Sequence, residues 1–394
     1  KASCALLLVL ELGVVGVLVS LDLFLWFVFW QLSALAIGLH PVVHGARRGV
    51  AMAAKFALHA SAGSALMLVA IVALRLDSGT FSIPALAELA RERKLGGEHL
   101  PGGGALLGMA FSTWCAWFLF LGCALRMPLV PLHAFFTGAL KEAPAPFALL
   151  QGGVVRALGA FALLRLCFPL LPSPVRDHAF LLGCVGVATI VHGAFTSLRQ
   201  RDWNGVFACN ALGQMGWMLL GVAASTQQSL QGAALQMFTA AAASAALFLA
   251  GSLLRGREFE DQGGLRRSAP RTFALATLAV LAGIGVPGFA LFASQTQIFV
   301  GACDASDARF RWLAVVAAVG WLIHAASSLW AWQRVFFSAP KLGSREIADA
   351  TPRETCLVAL LLAVSLAAGI LPRSLEAPLR PSAVHLLELI RGAP

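Results

Sequence analysis

Charge is scarce in this 394-residue chain: Asp, Glu, Lys and Arg make up 12% of it, hydrophobic residues 59%, and the mean hydropathy is +0.80. That excludes a water-soluble globular protein. So much apolar surface cannot be hidden in one soluble core, whereas a bilayer accepts it as helices of roughly 20 residues. Cys-x-x-Cys pairs and Cys/His ligand spacings are also missing. The eight cysteines are scattered, and Cys115, Cys123, Cys167, Cys184 and Cys209 sit inside apolar runs, where they read as small packing residues. A disulfide framework, a structural zinc and an iron–sulfur site are therefore not expected. A Gly-rich nucleotide fingerprint and a paired-His haem site are absent too, so no redox chemistry and no cofactor are expected in the chain itself. Tyrosine does not occur at all, and nothing physical follows from that. A formal charge of +10 would suit a nucleic-acid partner. The basic residues, however, lie in loops between apolar runs, where membrane topology accounts for them and nucleic acid does not.

What is present is a recurring apolar segment. The pattern places spans near residues 5–20, 22–39, 51–75, 105–138, 145–168, 180–198, 205–223, 231–254, 272–300, 311–337 and 355–372, about eleven in all. The opening run Leu6–His40 is too long for a signal peptide and fits two closely spaced spans. The fourth span is interrupted by Met127-Pro128 and Pro131, and the ninth by Gly285-Val286-Pro287-Gly288. Proline removes a backbone donor and glycine loosens the chain, so both should be broken helices. Broken spans five helices apart suggest two five-helix halves of inverted topology; ordinary proline kinks are the alternative. The expected organisation is a first five-helix repeat over 1–170, a second over 171–340, and a C-terminal transmembrane helix with a tail over 341–394.

Loop charge sets orientation. If loops alternate sides, one side receives Arg47, Arg48, Lys141, Arg199, Arg201, Arg255, Arg257, Arg266, Arg267, Arg271, Lys341, Arg345 and Arg353. The other carries the mixed-sign loop Leu76–Gly104 and little else beyond the C-terminal tail. By the positive-inside rule the first side faces cytoplasm or matrix.

Ionisable residues inside spans are costly and are functional candidates by default. They are Glu11 in the first span, Lys55 and His59 at i and i+4 in the third, Arg126 at the fourth-span break, Arg156 in the middle of the fifth, and His192 and His324. Lys55 is near enough to a span end to snorkel, and a lone histidine such as His324 is more often a packing residue. The two arginines each need water, a carbonyl or a carboxylate as partner.

Several segments in order carry a resemblance: Lys55–Pro84, RMPLVPLH at Arg126–His133, EAP at Glu142–Pro144, LGAFALLRL at Leu158–Leu166, GQMGWMLLGV at Gly213–Val222, GAALQM at Gly232–Met237, ALFLAGSL at Ala246–Leu253, GGL at Gly263–Leu265 and GVPGFALF at Gly285–Phe292. The set resembles the antiporter-like proton-translocating subunits of respiratory complex I, specifically the chain 4 (M-type) subunits of NADH:quinone oxidoreductase. The resemblance is collinear from about Leu21 to Phe337. It implies an all-α integral membrane fold of two inverted five-helix repeats, each with a broken helix, in an energy-transducing membrane, mitochondrial inner or bacterial. It also implies lipids and other membrane-arm subunits as partners, with NAD, FMN, iron–sulfur clusters and quinone in those partners. Family members usually carry further N-terminal helices, which this sequence does not include.

The departures are informative. Where the family's midplane proton path has a glutamate in an FWE motif, the chain reads Phe29-Trp30-Gln31; the lysine before Met-Pro is Arg126, and the lysine one helix later is Arg156. Family histidines are replaced by Gln214 and Ala240, and the glutamate closing the second broken helix by Gln295. Glutamine cannot release a proton, alanine offers no polar group, and arginine stays charged where a buried lysine can be tuned. The resemblance thus implies a complex I subunit whose own path is impaired or silent. Two alternatives stay open: a rewired path in which Glu11 supplies the missing acid, and an antiporter-like subunit of a membrane hydrogenase, cation antiporter or inorganic-carbon uptake complex.

Overall fold

The computed structural model of the chain describes residues 2–43, 49–133, 136–138, 140, 145–254, 258–259, 262–339 and 348–391. The expected basic loop residues Arg47, Arg48, Lys141, Arg255, Arg257, Lys341 and Arg345, and the EAP segment, lie outside the described residues. The described structure is helical throughout, with two isolated β-bridges and no strand. In chain order the helices are α1 Ala2–Val19, α2 Leu23–Val43, α3 Gly49–Ser78, α4 Ile83–Arg91, α5 Phe111–Arg126, α6 Phe147–Leu170, α7 Ala179–Ser197, α8 Trp203–Ala224, α9 Gln227–Leu253, α10 Pro270–Ile284, α11 Ala290–Cys303, α12 Arg309–Phe337, α13 Pro352–Ile370 and α14 Pro372–Arg391. Among the described residues nine of these are long and apolar enough to cross a membrane. The two other expected spans fall on shorter apolar helices, α5 and the α10–α11 pair.

Local chemistry accounts for the ends. Asp202 caps α8 by accepting from the Gly205 N–H at 2.8 Å. Thr226 and Ser229 form a reciprocal capping box at the start of α9, as Thr351 and Glu354 do for α13. The α10 helix ends on Gly285 in the left-handed region (φ +74°), with the Val286 N–H bonded back to Leu281 at 3.1 Å. Proline and Gly288 then delay the next helix until Ala290, so the ninth span is broken where expected. The fourth span breaks where expected as well, since α5 stops at Arg126 just before Met127-Pro128.

Two segments differ from expectation. Residues 105–110, read as the beginning of the fourth span, form a turn closed by a Leu106–Met109 bridge, and helix starts only at Phe111. Gly103, Gly104 and Gly108 all sit at positive φ there, and so does Leu107, which a helix does not allow. The C-terminal tail is a helix, α14, despite Pro378 and Pro381.

Two compact units are distinguished: Lys1–Pro128 with Leu158–Ala179 and Val384–Pro394, and Leu129–Ala157 with Phe180–Ala383. In the first, α1 packs on α2, α2 on α3, and α3 on α5. Hydrogen bonds from Leu23 to Phe81 and from Ile83 to Leu21, each 2.8 Å, join the α1–α2 and α3–α4 connections at one end. In the second, α8 is buried along its whole apolar window and has no side left for lipid. It packs against α9, α11 and α12, and α9 packs in turn against α11 and α10. The Phe259 N–H bonds to the Arg201 carbonyl at 2.7 Å, and Asp349 accepts from Arg271 and Thr272. The connection before α8 thus touches the one before α10, and the start of α10 touches the connection before α13.

Candidate functional site

A cluster in the first unit is built on α2. Trp30, Gln31 and Ser33 occupy one turn of it. The buried Ser33 hydroxyl donates to the Trp30 carbonyl at 2.8 Å and accepts from the Arg126 guanidinium. Arg126, the last residue of α5, places that guanidinium over the Trp30 ring, 4.6 Å from its centroid. Gln31 accepts from the Ser64 hydroxyl of α3 at 2.5 Å. Arg126 is thus held by one hydroxyl and one aromatic face, and its Nε lacks a partner among the described residues.

Arg156 anchors a second cluster, in the other unit, and is 1% exposed. It follows a π-helical turn, Gln151–Val155, and precedes another, Leu163–Cys167. Gly152 and Gly153 in the first turn approach Phe248 and the Ala241 carbonyl so closely that α6 rests on α9 there. From that position the guanidinium donates to the Ala211 carbonyl of α8, to Gln214 Oε1 at 2.7 Å, to the Ala240 carbonyl at 3.1 Å and to the Ser244 hydroxyl at 2.7 Å. Ser244 also donates to Gln214 Oε1 at 3.2 Å. Every acceptor is neutral. Burying a cation this way is tolerable because charge-assisted hydrogen bonds are roughly twice as strong as neutral ones.

A third cluster surrounds the second broken helix. Ser294 of α11 donates to Gln236 Oε1 and lies 2.9 Å from the Thr239 hydroxyl, both on α9. Gln295 is buried beside it, and a Cβ added to Gly285 would come within 2.7 Å of its Oε1. The polar groups of α9 therefore form one stripe, Gln236, Thr239, the Ala240 carbonyl and Ser244, which serves both clusters at helical spacing.

The remaining candidates are placed elsewhere. Lys55 is exposed, and the nearby His59 ring bonds the Lys55 carbonyl at 2.7 Å. His192 is exposed and packs on the His133 ring, 4.4 Å between centroids. His324 is 3% exposed and occupies space left by Gly213, where a Cβ would overlap its ring. Glu11 lies on the exposed side of α1, and among the described residues no hydrogen bond joins it to Arg126. Sequence reasoning singled out Gln31, Arg126, Arg156, Gln214, Ala240 and Gln295. It passed over Ser33, Ser64, Gln236, Thr239, Ser244 and Ser294, whose only signal was a neutral polar residue inside an apolar span.

The bonded groups of these clusters are guanidinium, amide, hydroxyl and carbonyl. None of them exchanges a proton readily near neutral pH. The arrangement binds helices together.

Residues 20–320 match the family described as NADH:quinone oxidoreductase/Mrp antiporter, TM. The chain is 30% identical to NADH-quinone oxidoreductase subunit M of Rhodobacter capsulatus, over 97% of its own length and 74% of that protein's. It is 29% identical to an NAD(P)H-quinone oxidoreductase chain 4 of Picosynechococcus, covering 100% of this chain and 73% of the relative. Among solved structures it is similar to a chain of respiratory complex I from Thermus thermophilus with bound NADH, with TM-score 0.86, 26% identity, 98% of this chain and 79% of that one. A chain of the Mrp complex from Dietzia shares the fold at TM-score 0.81 and 20% identity, covering 98% of this chain and 78% of that one.

Proposed function

Because the chain belongs to the NADH:quinone oxidoreductase/Mrp antiporter transmembrane family, we propose that it serves as an antiporter-like subunit in the membrane arm of complex I, with its own proton path silent. Its part is to hold neighbouring membrane subunits together, similar antiporter-like subunits among them. Oxidation of NADH, flavin and iron–sulfur electron transfer, and quinone reduction belong to partner subunits.

One observation carries the silent path: Arg156 is fully buried and each of its hydrogen-bond partners is a carbonyl, an amide or a hydroxyl. A relay needs groups whose pKa values can be moved across the working range by their neighbours. Gln31, Gln214, Ala240 and Gln295 supply none where the resemblance places ionisable residues. A fixed guanidinium supplies charge without exchange. Two of the glutamines keep a hydrogen bond in place: Gln31 accepts from Ser64 at 2.5 Å and Gln214 from Arg156 at 2.7 Å. Glu11 offers no substitute acid to this path, because it lies exposed on α1.

The test is the number of protons moved per NADH oxidised in reconstituted vesicles, normalised to assembled complex. Arg126→Ala should lower the amount of assembled complex and leave that ratio unchanged. Gln31→Glu with Gln295→Glu should also leave it unchanged, since the histidines would still be missing. A large fall in the ratio for Arg126→Ala with assembly intact would show that protons pass through this chain.

A further inference from the structure

We propose that a basic cavity at one end of the first unit binds a phosphate group, either in the headgroup of an anionic phospholipid or as free phosphate. The cavity measures about 810 Å³ and is walled by four stretches of chain: the end of α4, the start of α5, the turn after α6 and the last turns of α14. All of its lining residues belong to that unit. Its depth follows from the helices that reach it. The apolar α5 begins at Phe111, beside the lining residue Ser112, and α6 ends on the lining residue Leu170. A site where apolar helices begin and end lies at the level of lipid headgroups.

The charge there is one-sided. Arg91, Arg93 and Arg176 line the cavity with His385, and Glu388 is the one carboxylate among the lining residues. Arg91 donates to the His385 ring, which must be neutral at the nitrogen that accepts. Arg176 has Asp177 3.8 Å from its Nε, a loose pair with both side chains more than half exposed. Among the described residues Arg93 makes no side-chain hydrogen bond or ion pair, and no ion pair joins Glu388 to any of the three arginines. The dipole of α4 accounts for a cation at Arg91. Arg93 has no such account. It follows the α4 C-cap at φ +57°, the left-handed position where helices usually turn on glycine, so an arginine there strains the backbone and gains no bond within the fold. Nor does topology ask for these cations. The side with the mixed-sign Leu76–Gly104 loop is the one that loop alternation leaves poor in basic residues.

Guanidinium forks match phosphate oxygens. The rest of the wall suits a phosphate attached to an apolar body: Leu95, Leu170, Leu171 and Ile390 are buried and present hydrocarbon, while Ser112 and Ser173 add hydroxyls. Pro169, Pro172 and Pro174 stiffen the turn that carries Arg176, and a site stiff before its ligand arrives loses less on binding.

The experiment uses the intact assembly in nanodiscs of phosphatidylcholine carrying a trace of photoreactive phosphatidylglycerol. Peptides covering 90–95, 169–176 or 385–390 should be labelled in wild type, and labelled far less by photoreactive phosphatidylcholine, whose choline cation the arginines repel. Arg93→Gln removes a side chain that holds nothing in the fold, and it should cut labelling per assembled complex by roughly fivefold, the effect of one surface arginine on an anionic lipid. Glu388→Gln should raise it. Free phosphate is the source if labelling is absent while radiolabelled inorganic phosphate binds saturably at one per chain, with the same two variants moving its affinity in the same directions. The site is overturned if neither probe binds, if either variant binds its probe as wild type does, or if phosphatidylcholine labels as strongly as phosphatidylglycerol. A density map of the assembly in which another part of the polypeptide or a partner subunit fills the cavity overturns it as well.

Discussion

Arg126 sits half-buried over the Trp30 ring with one hydroxyl bond, whereas Arg156, 1% exposed, spreads its donors over two carbonyls, an amide and a hydroxyl. Neither bonds a carboxylate among the described residues. The difference shows what replaces the counter-ion as burial deepens. At a helix end beside a break, an aromatic face and a serine are enough. In the middle of a packed helix the site needs acceptors on several sides, two of them backbone carbonyls of the neighbouring helices α8 and α9. An α-helical carbonyl already accepts one bond, and its second lone pair is what Arg156 uses.

This contrast is broken most directly at Arg156. Arg156→Ala removes the donors and leaves a large void, and it should destabilise the chain by about 3–5 kcal/mol, read as loss of thermal stability in detergent. Arg156→Met restores most of the volume without the bonds. It should recover part of that loss, to about 2 kcal/mol, if unsatisfied acceptors account for the remainder. An equal loss for both variants would mean that bonding, and not packing, dominates. At Arg126 the expected cost of alanine is smaller, about 1–2 kcal/mol, from one hydrogen bond and a cation–π contact. A cost as large as that at Arg156 would erase the distinction between the sites. Ser244→Ala removes one of several acceptors and should cost about 1 kcal/mol. Ser33→Ala removes the one hydroxyl bonded to Arg126 and should weaken Arg126 more than Ser244→Ala weakens Arg156 in double-mutant cycles.

The smallest effect lies outside the membrane and calibrates the others. Burial pushes the Asp349 carboxyl up, but the N–H groups of Thr272, Arg271 and Ala350 and the Thr272 hydroxyl outweigh that and hold it below its ordinary value of 3.8. Its contribution is therefore present above that value and is lost as pH falls through the lower folded value. Asp349→Ala should cost a few tenths to about 1 kcal/mol at neutral pH, in the range of an exposed helix cap. The difference from wild type should vanish in acid, whereas the arginine variants should show no such convergence.

Much of the fold was legible because membrane helices announce themselves by length and apolarity, and because Met127-Pro128 and Gly285-Val286-Pro287-Gly288 cannot continue a helix. α14 was not legible as a helix. Its apolar residues recur at Leu375, Leu379, Ala383, Leu386 and Ile390, but Pro378 and Pro381 obscured the pattern. Arg156 lies buried and Arg126 half-buried, places where an arginine in an apolar span finds the partners it needs. That Ala240 contributes through its carbonyl was invisible, since a backbone acceptor leaves no mark on residue type. The serines escaped notice for a related reason: a single hydroxyl in an apolar span usually bonds its own helix, as Thr277 and Ser252 do here. Nor could sequence assign Glu11 to a face, because α1 is apolar all round.

The neutral surroundings of Arg156 also bear on leakage. An energised membrane is a charged capacitor, and any subunit that spans it is a possible short circuit. Idle polar interiors that admit water and a mobile cation would drain the stored potential. A positive charge in the packed interior, bonded to dipoles and to no anion among the described residues, would raise an electrostatic barrier against hydronium and sodium alike. On the proposed reading of a silent path, the same arginine that ties α6 to α8 and α9 would also insulate.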